Sequence, residues 1–297
     1  CRVEDGVVEK IEACETLAPV HAIPNAAGIR SCSKVMPGIP QVVVFDTAFH
    51  QTMPDYAYMY GIPMEYYEKY KIRRYGFHGT SHKYVSRRAA KFLGRDIEDL
   101  KMVTLHLGNG SSLCAIDGGK CIDTSMGLTP LEGPIMGTRS GSLDPAAVCV
   151  IEEKEHLSGA EMNDILNKKS GLLGVSGVSS DCRDVVEAAE EGNKRAQLAF
   201  NMLVYQVKKL LGSYVAALGG VDVIVFTAGQ GENGPETREA ICKGMEFFGI
   251  QIDPEKNNVR GQDADISADG ARVKTLVITT NEELMIARET LAIVENL

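Results

Sequence analysis

Between Ala196 and Leu218 the apolar residues recur at helical spacing, and Gly219-Gly220 then delivers the chain into the run Val221-Asp222-Val223-Ile224-Val225-Phe226. Ala196, Ala199, Phe200, Leu203, Val207, Leu210, Leu211, Tyr214 and Leu218 make one long apolar face, which has to be covered. The β-branched run that follows reads as a strand buried in a sheet. A long helix feeding such a strand belongs to an α/β architecture. The same pattern repeats along the chain. Buried strands are expected at 41–46, 102–107, 113–116, 221–226 and 273–279. Helices are expected over 3–17, 81–93, 145–155, 184–191 and 235–248, and from Asn281 to the end. Alternating elements of this kind stack as layers around a sheet. At 297 residues the chain is long enough for two lobes with a cleft between them.

A formal charge of -9 leaves no basic patch to neutralise a nucleic-acid backbone, so anionic small molecules must be met by local cations. No stretch is long and apolar enough to cross a bilayer as a helix. The eight cysteines are scattered without a Cys-x-x-Cys pair, which indicates neither a zinc site nor a disulfide framework and fits reduced thiols in a cytoplasm. The chain opens at Cys1 with no initiator Met, already inside what reads as a helix, so upstream material is expected.

Four polar, glycine-punctuated loops follow expected strands, where α/β proteins place ligands. The first holds Asp46, at the expected carboxyl end of the 41–46 strand, where a carboxylate can reach a metal-bound water or a substrate proton; a helix cap or turn aspartate is an equal reading. The second is His106-Leu107-Gly108-Asn109-Gly110, whose backbone N–H groups can face phosphate oxygens, or which is a plain hairpin turn. The third, Gly137-Thr138-Arg139-Ser140-Gly141, presents an arginine suited to a phosphoryl group, although exposed loop arginines are commoner. The fourth, Gly229-Gln230-Gly231-Glu232-Asn233, lets backbone approach a ligand closely but is neither a Walker loop nor a full Rossmann fingerprint.

The run Arg74-Tyr75-Gly76-Phe77-His78-Gly79-Thr80-Ser81-His82 adds two histidines four apart. Gly79 between them and the lack of a Glu after His78 fail the helical zinc-pair signature. His78 falls before the helix and His82 in its first turn. An imidazole so placed can hydrogen-bond a phosphoryl group.

Taken together with Val43 to Pro54, Ser180-Asp181-Cys182-Arg183-Asp184 and Thr280-Asn281-Glu282-Glu283-Leu284, these motifs occur in an order that resembles the acetate kinases over nearly the whole chain. The resemblance implies the two-lobed fold of the actin-like ATPases, with sugar kinases and heat-shock ATPases as cousins and a central cleft. Residues 1–47 and 285–297 would be the remainder of an N-terminal lobe, and 48–284 a C-terminal nucleotide-binding lobe. Carried over motif by motif, Asp46, His78, Arg139 and His21 match catalytic positions. His106, Leu107, Gly108, Asn109, Gly110, Asp181, Cys182, Arg183, Gly229, Gln230, Gly231, Glu232 and Asn233 match nucleotide contacts, and Glu282 a Mg²⁺ (or Mn²⁺) ligand. Two departures are Ser142, where Asp is usual, and Gln230, where Ile is usual.

The implied activity is reversible transfer of phosphoryl from ATP to acetate, giving ADP and acetyl phosphate, in a cytoplasmic homodimer. Propionate is the alternative acceptor. An ATP-gated binding module of the actin or heat-shock kind is the alternative class. The family's opening phosphate motif and its carboxylate-binding arginine are not in the sequence. The chain alone is therefore expected to be inactive unless a separate N-terminal fragment completes the first lobe.

Overall fold

The computed structural model describes residues 1–14 and 22–295. Its centre is a six-stranded mixed sheet built from β1 (Lys101–Leu107), β2 (Ser111–Asp117), β3 (Lys120–Thr124), β4 (Val223–Thr227), β5 (Ala264–Asp265) and β6 (Lys274–Val277). The spatial order is β3-β2-β1-β4-β6-β5. β1, β4 and β6 run parallel, while β2, β3 and β5 are antiparallel to their neighbours.

Side chains alternate across a strand, so each one serves two cores. Val103, Leu105, Leu113, Ala115, Ile224 and Phe226 point to one face, against the helix Lys194–Leu218. Met102, Cys114, Ile116, Val223 and Val225 point to the other, against the helix Gly79–Leu93. Each Leu or Val buried this way contributes about 1.5–3 kcal/mol. The same period of two puts Thr104, His106 and Ser112 on the face beneath Gly79–Leu93, so the sheet register decides which polar groups meet that helix.

The long apolar face becomes the helix Lys194–Leu218, buried at Ala196, Ala199, Leu203, Val207, Leu211, Tyr214 and Leu218. The Asn193 side chain accepts from the N–H groups of Arg195 and Ala196 at its start, and Gly219 (φ 67°) ends it. The expected helices at 81–93, 145–155, 184–191 and from 281 form as Gly79–Leu93, Pro145–Glu155, Cys182–Glu190 and Glu282–Val294. The 235–248 expectation splits into Pro235–Cys242 and a 3-10 turn at Glu246–Phe248. Of the helix expected over 3–17, Val7–Glu12 is helical and 15–21 lie outside the described residues. Among the described residues, no helix is long and apolar enough to cross a membrane.

Three expectations need correction. The run 41–46 joins no sheet: Val42 bridges only Arg2, with Val3 N donating to Gln41 O and Val43 N to Cys1 O at 2.8 Å each. Asp46 therefore sits in a turn before the 3-10 helix Ala48–Thr52, not at the end of a strand. The glycines at 229 and 231 lie in the short helix Ala228–Asn233, which springs from β4 without a linker. Its first residue, Ala228, takes a positive φ of 64°, and the Glu232 side chain accepts from Ala228 N at 2.8 Å, closing the helix on its own start.

Candidate active site

Gly79–Leu93 has no N-cap of its own. His78 occupies that position at φ 56°, a left-handed conformation that costs a non-glycine residue about 1–3 kcal/mol. The compensation comes from 32 residues upstream. Asp46 accepts from His78 N (2.6 Å) and Thr80 N (3.2 Å) through its carboxylate, and from Gly79 N (3.0 Å) through its carbonyl. A side chain at Gly79 would stand 2.1 Å from that carbonyl, so only glycine allows the approach. Asp46 thus caps the helix from a distance and fixes His78.

The His78 imidazole is buried, stacked on His106 at 4.0 Å between ring centroids. Its Nδ1 lies 2.9 Å from Ser112 Oγ, which lies 2.8 Å from His82 Nε2; His82 Nδ1 in turn lies 2.7 Å from Thr104 Oγ1. Burial, with Arg139 nearby and despite the pull of Asp46, pushes His78 down to about 4, and burial holds His82 and His106 well below the ordinary imidazole range. These three rings are neutral at pH 7. The chain Thr104, His82, Ser112, His78 then carries one proton per link. If Thr104 donates into His82, His82 donates to Ser112 and Ser112 to His78 Nδ1, and the His78 proton is left on Nε2.

That Nε2 faces Arg139. A methyl group built on Gly110 would stand 3.4 Å from His78 Nε2 and 3.2 Å from Arg139 Nη1, so the imidazole edge and the guanidinium converge on the space above Gly110. Arg139 is held by a tightly packed loop. Gly137 N donates to Asn109 O (3.2 Å) and Met136 N to Arg139 O (3.1 Å), and Gly171, at φ 68°, passes so close that a Cβ would stand 2.2 Å from Met136 O. Its guanidinium, half-buried, has one contact with Pro130 O at 3.3 Å and a weaker one with Met136 Sδ. Most of its donors remain available.

Arg74 does something else. It donates to the carbonyls of Thr124, Ser125 and Met126 and pairs with Glu132 at 2.6 Å, so it shapes the loop leading to Arg139. Ser142 closes the same loop, exchanging hydrogen bonds with Gly133.

Beside this centre lies a cavity of about 680 Å³. Gly108 and Asn109, from the β1–β2 hairpin, form one wall; Asp181, Cys182 and Arg183, at the start of Cys182–Glu190, form the second; Gly229, Gln230 and Asn233, from Ala228–Asn233, form the third. The glycine-asparagine-glycine stretch is both a hairpin turn and a ligand wall. Gln230 Nε2 reaches Cys182 Sγ and Thr237 Oγ1, tying two walls together. The remaining residues of these motifs face elsewhere. Leu107 is in the core, Gly231 packs on β4, and His106 bonds Ser81 Oγ at 2.8 Å. The Glu232 carboxylate joins Ala228 N to Thr280 N. His21 lies outside the described residues.

Glu282 opens the helix Glu282–Val294, half-buried, its carboxyl raised by burial and by the charge of Asp46. The Glu282 carboxyl, near enough to Asp46 to feel its charge, is a hard oxygen donor of the kind Mg²⁺ takes. Sequence reasoning missed the groups behind His78: Ser112, His82 as a link and Thr104. Their signal was present only as strand periodicity, which places Thr104 and Ser112 beneath the helix that carries His82.

A model of the acetokinase family matches residues 2–288. Acetate kinase from Thermoanaerobacter pseudethanolicus is 61% identical over 296 residues, covering 99% of this chain and 74% of that one. Among solved structures, Porphyromonas gingivalis acetate kinase superposes with a TM-score of 0.96 at 49% identity, over 99% of this chain and 74% of that one. A propionate kinase from Francisella tularensis gives 0.92 at 45%, over 97% and 74%.

Proposed function

The chain belongs to the acetokinase family, and on that premise we propose that it transfers the terminal phosphoryl of ATP to acetate, reversibly, giving ADP and acetyl phosphate. The α/β fold expected from the resemblance is borne out by the superposition on acetate kinase. The observation that carries the reading is the convergence of His78 Nε2 and Arg139 Nη1 above Gly110, at the edge of a three-walled cavity large enough for a nucleotide.

Acetate and the terminal phosphate are both anions. Two unit charges 4 Å apart repel by about 4 kcal/mol at an effective dielectric of 20. Arg139, always protonated, offsets that repulsion. The neutral His78 adds a hydrogen bond that does not titrate near pH 7. Both act on the equatorial oxygens of a loose, in-line transition state. A carboxylate nucleophile needs no deprotonation, and the Asp46 carboxylate is already engaged by two backbone N–H groups, so its role is to position His78 rather than to act as a base. Glu282, beside Asp46, is the residue that would hold Mg²⁺, which when bound neutralises charge on the phosphate oxygens. The nucleotide base and ribose are assigned to the walls at 181–183 and 229–233, and the phosphates to Gly108 to Gly110.

The same reading assigns residues 1–47 and 285–297 to one lobe, 48–284 to the other, and the enzyme to a cytoplasmic homodimer; family membership supports these. Propionate remains a second acceptor because a propionate kinase superposes nearly as well. Hydroxylamine trapping tests the proposal in a chain extended to its relatives' length: acyl hydroxamate should form from acetate, ATP and Mg²⁺. No hydroxamate from either acetate or propionate, with ATP hydrolysis indifferent to both, would overturn it in favour of an ATP-gated module.

A further inference from the structure

Two of the scattered cysteines are neighbours. β2 and β3 run antiparallel with a register shift at Ala115/Ile116, and Cys114 and Cys121 emerge on the same face with their Sγ atoms 3.4 Å apart. His50, from the turn Ala48–Thr52, presents Nδ1 at 3.2 Å from Cys121 Sγ and 4.0 Å from Cys114 Sγ. All three residues are fully buried, among Met53, Val85, Met102 and Ile116.

Two features make this more than a packed thiol pair. His50 Nε2 lies 3.0 Å from Phe77 O, and a carbonyl only accepts, so the ring keeps a proton on Nε2 and turns its Nδ1 toward the sulfurs. A metal-bound histidine is oriented in this same way by its second nitrogen. The triangle of donor atoms is also the right size. The point equidistant from all three lies about 2.1 Å from each, within the tolerance of metal–nitrogen and metal–sulfur bonds.

We propose that Cys114, Cys121 and His50 form a trigonal site for a soft, thiophilic monovalent cation, copper(I) by chemical class. Two sulfurs and an imidazole in an apolar, fully buried shell select such an ion over Mg²⁺, and a set of three donors suits it better than zinc, which takes four. The charges balance. The single proton shared by Cys121 Sγ and His50 Nδ1 leaves to solvent, Cys114 stays a thiol, and thiolate, imidazole and a +1 ion sum to zero.

The experiment uses the chain with the exposed Cys1, Cys14, Cys32 and Cys149 changed to Ser, to remove adventitious thiols. It is equilibrated anaerobically with copper(I) against a competing copper(I) chelator, and in parallel with zinc(II). One equivalent of copper(I), release of about one proton, and an X-ray absorption edge with two sulfurs and one nitrogen are expected. Cys121→Ser should weaken binding by at least about a hundredfold, and Cys114→Ala less, with circular dichroism unchanged. No stoichiometric copper(I), retention by both variants, or preferential binding of zinc overturns the assignment.

Discussion

Ser112→Ala tests the hydroxyl that joins the two histidines. Its Oγ lies 2.9 Å from His78 Nδ1 and 2.8 Å from His82 Nε2; His82 is fully buried and His78 largely so. Removing the hydroxyl leaves two ring nitrogens without partners, at about 1–3 kcal/mol each, so unfolding free energy should fall by roughly 2–6 kcal/mol. The catalytic loss has a separate origin. With Thr104 as the first donor, Ser112 fixes the His78 proton on Nε2; without Ser112 the molecules carrying it on Nδ1 offer the phosphoryl a lone pair. Losing a preorganised donor outright costs about 10²–10³ in kcat, and losing its orientation for part of the population should cost about 10- to 100-fold. Hydroxamate formation at saturating ATP and acetate reads kcat, while KM for ATP should hardly move because the cavity walls are untouched. Ser112→Thr, which keeps a hydroxyl, should recover part of kcat. A Ser112→Ala enzyme that is less stable but turns over within about twofold of the parent would show that Ser112 only packs, and the proton relay would fall with it.

Arg139→Ala should lower turnover by about a hundredfold or more without changing nucleotide affinity to a similar degree; an unchanged rate removes Arg139 from the mechanism. Gly110→Ala places its methyl 3.2 Å from Arg139 Nη1 and 3.4 Å from His78 Nε2, in the space assigned to the phosphoryl, so kcat should fall at least tenfold while Tm moves little; full activity would relocate the transfer site. Stability should rise with pH between about 4 and 6.5. Over that window the unfolded chain protonates an imidazole that folded His78, held at about 4, does not, which amounts to about 3 kcal/mol lost on acidification; His82 and His106 act in the same direction, and His50, held above its ordinary value, in the opposite one. Denaturant titrations across the range would show it, and a flat profile would mean that the rings are charged or exposed.

The helix Lys194–Leu218 and strand β4 were readable because their side chains obey a single period over many residues. The run 41–46 misled because β-branched composition reports burial, whereas strand formation needs a partner of matching length, and Val42 finds only Arg2. β3, with Lys120 and Asp123 in five residues, carries too few apolar positions to signal a strand, so the meeting of Cys114 and Cys121 was hidden by a spacing of seven residues that only a hairpin brings together. At the site, His78, Arg139 and the glycine loops were legible as residue types at strand and helix ends. Asp46 was legible as a carboxylate but not as a cap for a helix 32 residues away, a relation that exists only in three dimensions.

That distant cap has a mechanical consequence. Three contacts lock Asp46 to residues 78–80, and the glycine between them leaves no slack, so a displacement of the 42–50 segment by one ångström must either drag the His78 ring along or break all three. Position upstream is thereby converted into aim at the phosphoryl. A donor mounted in this way is switched by stiffness rather than by chemistry, and its rate is tunable from residues that never touch the substrate.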